Sequence, residues 1–222
     1  MSPWFLYRIE TSVDTQDHDR PSGRPRWLRG GVDGNERLTG TNAVILLLLL
    51  AAEGATVPFV RQLLTLHIFL GLMLVPPVLL KLGTTGWRFA RYYLRDAEYL
   101  RRGPPQAFLR YLVAPLTVAS TAALFGTGVA IVLVHPQRGF LIGLHKASFV
   151  IWLGAMGVHV LAHMLKLPAL ARADFRGSTA GARLRQFVLA GAVVAGLAVA
   201  IAGLPAAHDW AHWTALHHHD DH

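Results

Sequence analysis

The chain has 222 residues, is 53% hydrophobic and has only 15% charged residues. Its mean hydropathy of +0.37 and the clustering of its apolar residues exclude an ordinary soluble domain. A net charge of +8 would suit nucleic acid, but the basic residues lie between apolar stretches, where they set membrane orientation.

The N-terminal region, residues 1–40, reads as a polar tail. Its stretch from Thr11 to Arg37 is rich in Asp, Arg, Gly and Pro, which predicts disorder and argues against a cleaved secretory signal. Five apolar segments follow. A hydrocarbon core of about 30 Å needs about 20 residues at helical rise. The first segment runs from about Thr41 to Val57 and the second from about Leu63 to Leu82. The second contains Pro76-Pro77, which should kink or locally unwind it. The next stretch includes Trp87-Arg88-Phe89-Ala90-Arg91-Tyr92-Tyr93-Leu94-Arg95, which suits an amphipathic helix on an anionic leaflet or a solvated basic loop. The third segment runs from about Tyr111 to Val134 and the fourth from about Phe140 to Leu165. After a connection over residues 167–186, a fifth covers about Phe187 to Leu204, and a His-rich tail fills residues 205–222.

Lipid cannot satisfy bare backbone, so these segments are expected as helices. The fold class is all-α: a polytopic membrane bundle of about five transmembrane helices, with a four-helix core over residues 41–166 plus one. Of the 21 Lys and Arg residues, all but Arg61, Arg138 and Lys146 fall on one side of this topology. That side is expected in the cytoplasm of a cell with the chain in its plasma membrane. The N-terminus is then inside and the C-terminal tail outside. Lipid is the expected partner, and nucleic acid is not.

Ionisable groups inside membrane helices are costly and tend to be functional. His67 on the second segment and His145 on the fourth fall at similar depth, because those segments run in the same direction. Two imidazoles so placed can grip a planar iron porphyrin, or they can hydrogen-bond neighbouring helices. Gly71, one turn after His67, together with Gly143, Gly126 and Gly128, would admit the macrocycle. His159 follows His145 by 14 residues and His163 follows by four more, all on one helix face. A second iron there would need a partner 14 residues beyond His67, where the chain has Lys81, a residue suited to snorkelling to phosphates. His135, at the end of the third segment, suits either a quinone or proton path or a helix-dipole contact. Glu53 is expected to pair with Arg61. In the tail, His208 and His212 share a helix face. With the later His and Asp residues they could bind Zn, Cu or Ni loosely, and a solvated tail is the simpler reading.

No cysteine is present, so disulfides, Cys-ligated clusters, thiolate zinc and covalent haem attachment are excluded. Leu66-His67-Ile68-Phe69-Leu70-Gly71 and Gly143-Leu144-His145, followed by His159 and His163, resemble bacterial membrane cytochromes b of the cytochrome b561 and nickel-hydrogenase cytochrome b type. The resemblance covers roughly residues 41–166. It implies a four-helix bundle with one or two b-type haems on His67, His145 and His159 or His163, electron transfer with a quinone, and a redox partner subunit. The chain would then be the electron-transfer subunit of an oxidoreductase. Two other classes compete: a non-catalytic membrane anchor or assembly subunit, and a transporter. Few carboxylates and no inverted repeat weigh against the transporter.

Overall fold

The computed structural model describes residues 31–95, 109–134, 139–163 and 181–217. We label its helices α1 (Gly31–Thr56), α2 (Leu64–Tyr93), α3 (Ala114–Leu133), α4 (Gly139–His163), α5 (Ala182–Ala202) and α6 (Leu204–His217). No strand occurs among the described residues. Five of these helices are long and apolar enough to cross a membrane: α1, α2, α3 with the turn before it, α4 and α5. Their outward faces are apolar and open, with Leu133, Phe140 and Phe187 each more than three-quarters exposed. Such a surface would aggregate in water and is what lipid requires.

α2 is the central helix, and α1, α5 and α6 pack against it. α3 and α4 form a second unit that packs mainly on itself, with Trp152 Nε1 of α4 donating to Thr121 Oγ1 of α3 at 3.1 Å. α1 and α2 are antiparallel and stitched by polar side chains. Asn42 Nδ2 donates to the Pro77 carbonyl at 2.9 Å, Lys81 Nζ to the Thr39 carbonyl at 3.0 Å, and Asn35 Nδ2 to the Thr84 carbonyl at 3.1 Å. Unpaired, these groups would be costly at membrane depth, so each bond fixes the helix pair.

Four expectations change. The tail expected over residues 1–40 is helical from Gly31, because Asn35 and Thr39 bond to the far end of α2. α2 passes through Pro76 and Pro77 without unwinding. Pro77 has no N–H to offer the Met73 carbonyl. α5 covers that oxygen instead, with Gly196 so close that an added Cβ would overlap it. Glycine alone permits this approach, which brings the Gly Cα–H against the orphaned oxygen. The Trp87–Arg95 stretch is neither a loop nor a separate surface helix. It continues α2 to Tyr93, where Arg91 lies over Trp87 at 5.5 Å and Phe89 packs on Tyr93 at 4.6 Å. At 1.5 Å per residue α2 is about 45 Å long, so this end extends past a core of about 30 Å.

The fourth change is at the other end. The tail after Pro205 is not simply solvated: α6 folds back onto α2 and α3. Ala207 and Trp210 are buried in a cluster with Ile68, Leu72 and Ala200, and Trp210 Nε1 donates to the Ile131 carbonyl at 3.1 Å. His208 and His212 lie on its exposed face.

Candidate functional site

Where α1 turns into α2, the two helices part. A Val57–Phe59 3₁₀ turn, with Pro58 inside it, returns the chain so that Glu53 and Thr56 face the first turn of α2. Between this corner, the α3–α4 pair and α6 lies a cavity of about 580 Å³. That is within the range of about 300–1,000 Å³ typical of small-molecule and cofactor sites. Its walls are chiefly apolar, among them Ile68, Leu72, Phe125, Val129 and Phe149, and Trp210 of α6 closes one side. His67 and His145 both line it.

The hydrogen bonds fix which nitrogen of each ring donates to the protein. The Thr56 hydroxyl donates its single hydrogen to the Glu53 carbonyl at 2.6 Å. It can therefore only accept from His67 Nδ1, 2.8 Å away. Glu53 Oε1, 3.0 Å from the same nitrogen, is a second acceptor. His145 repeats the pattern with different partners. Its Nδ1 lies 3.2 Å from the Leu124 carbonyl, which cannot donate, and 3.1 Å from Thr127 Oγ1. The Thr127 hydroxyl spends its hydrogen on the α3 backbone, at Ala123 (2.7 Å) or Leu124 (3.0 Å). Both rings thus carry their hydrogen on Nδ1. Nε2 of neither ring has a protein partner among the described residues.

This is the arrangement a metal-binding imidazole needs. One nitrogen is tied down as a donor, which fixes the tautomer and the ring plane and leaves the other lone pair free. Gly128 of α3 lets the His145 ring lie against that helix: an added Cβ would sit 3.2 Å from His145 Cε1. Among the described residues no cluster of three or more His, Asp or Glu could hold a bare metal ion. A porphyrin iron brings four nitrogens of its own and asks the protein for two, so two imidazoles meet its requirement.

The remaining sequence candidates distribute unevenly. Gly71 lines the cavity as expected, whereas Gly143 is exposed and has open space around it, as does Gly126. Glu53 meets His67 rather than Arg61, because the turn brings it across to α2. Lys81 bonds to the Thr39 carbonyl rather than reaching for phosphates, since α1 packs directly over it. His159 is half-buried on α4 and outside the cavity wall. His135, the His163 side chain and residues 218–222 lie outside the described residues. Sequence reasoning missed Thr56, Thr127 and Trp210. The first two carry a weak signal, being hydroxyls near the ends of apolar helices that hold the histidines' neighbours.

Compared with known proteins, the chain matches no family model, no curated protein and no solved structure.

Proposed function

We propose that this chain is a membrane electron-transfer protein that binds one b-type haem through His67 and His145. The observation that carries the reading is the matched tautomer of the two rings. Each is held at Nδ1 and presents a bare Nε2, and both line one apolar cavity. A hydrogen-bonding role alone would not call for an unpartnered nitrogen on both rings, since an unsatisfied polar atom in an apolar surround is costly.

The chain's own residues supply the setting. Thr56, Glu53, Thr127 and the Leu124 carbonyl orient the ligands. Phe125, Phe149 and Trp210 give the cavity apolar walls. A bound haem would supply one-electron chemistry, and the surrounding dielectric and the hydrogen bonds to its ligands would tune its potential. Electrons would pass between a quinone or redox partner subunit and an acceptor on the far side. The basic excess in the connection between α2 and α3 supports a cytoplasmic position for that end, with the chain in a plasma membrane. A second haem on His159 or His163 is not part of this reading, because Lys81, the residue 14 beyond His67, is bonded to the Thr39 carbonyl of α1.

The test is an absorption spectrum of protein purified from haem-replete membranes, oxidised and then reduced. A Soret band that shifts on reduction is expected in the parent and should be absent from His67→Ala and His145→Ala. A colourless parent would overturn the proposal and leave an anchor or assembly role.

A further inference from the structure

Two residues lining the cavity are cations: Arg61, on the turn before α2, and Lys146, beside His145 on α4. Their presence is selective. The sequence topology expects only Arg61, Arg138 and Lys146, of 21 basic residues, at this end, and two of those three line the same cavity. They come from different parts of the chain, as the two imidazoles do: Arg61 lies just before the helix that carries His67, and Lys146 shares its helix with His145. Both side chains are exposed, so their stems can lie along apolar wall while the charged heads stay at the rim. The acidic group nearby does not neutralise them, because the Glu53 carboxyl is directed to His67.

We infer that Arg61 and Lys146 hold a pair of carboxylates on the bound ligand, so that the cavity takes a flat apolar molecule ending in two acidic groups. This rests on the haem reading and extends it. Arg61 and Lys146 would face the two propionates of a b-type haem, and the apolar walls would take the rest of the macrocycle. A cation that served only lipid phosphates would be indifferent to the ligand's carboxylates. A cation facing them contributes a charge-assisted bond, weakened by its exposure.

The experiment titrates full-length, haem-depleted protein in detergent with haemin and with haemin dimethyl ester, following the Soret band. The parent should bind the ester roughly tenfold more weakly. Arg61→Gln/Lys146→Gln should bind the two forms alike, with the band at an unchanged wavelength because the axial ligands remain. Arg61→Lys/Lys146→Arg should keep the preference, which separates charge from loss of fold. Equal affinity of the parent for both forms would overturn the inference while leaving the haem reading intact. A parent that binds neither form would remove the haem reading, and this inference with it.

Discussion

The two ends of α2 begin with similar material and finish differently. His67 and Lys81 are 14 residues apart on one helix, about 21 Å, and both face α1. At the Lys81 end, Asn35, Thr39 and Asn42 of α1 close on α2 through three side-chain-to-carbonyl bonds. At the His67 end, α1 has already turned at Pro58, and only Glu53 and Thr56 reach α2. The same helix pair therefore makes a filled seam at one end and a hollow at the other. What decides between them is whether the polar groups of α1 find backbone carbonyls or an imidazole. A histidine pattern that repeats along α4 is thus matched by one chamber.

The largest change should come from filling the hollow. Gly128→Leu would drive a side chain into the His145 ring and should abolish haem binding, read as loss of the Soret band while helix content by circular dichroism is retained. If pigment survives at parental occupancy, the cavity beside His145 is not where the ligand sits. A smaller effect is expected at the hydroxyl that holds His67. Thr56→Val keeps the shape but removes the acceptor at 2.8 Å, and haem affinity should fall roughly 10- to 100-fold in a titration. No change would mean that Glu53 alone orients the ring. The smallest effect tests the filled end. Lys81→His repeats on α2 the 14-residue histidine spacing of α4, yet haem per chain should stay at its parental value in a pyridine haemochrome assay. Stability should drop by about 1 kcal/mol through the lost bond to Thr39. A doubled haem content would show that α1 yields there.

Much of the fold was legible because lipid imposes simple demands. Uninterrupted apolar length marked all five spans, and alternation of direction put His67 and His145 on segments expected to run the same way, both of which line one cavity. What escaped was whatever depends on a turn or on a contact between distant segments. Glu53 seemed paired with Arg61 because the two are close in sequence, while the 3₁₀ turn carries it to His67. The threonine hydroxyls look like ordinary back-bonding to their own helices, and half of their bonding is that. α6 was hidden by its histidines and Asp209, which give it the composition of a tail. Its signal was periodic: Ala207, Trp210, Ala211 and Thr214 form a helical stripe, and that stripe faces the bundle.

The glycine seated on the Met73 carbonyl has a mechanical consequence. If α5 slid by one turn along α2, Ala192 or Ala200 would arrive where Gly196 now rests, and a methyl group would meet the oxygen. The two spans are therefore indexed to each other like a key in its notch. Sliding along that seam is thereby barred, and the α2–α5 frame holds still while the other walls of the cavity, α3, α4 and α6, are not notched to it in this way.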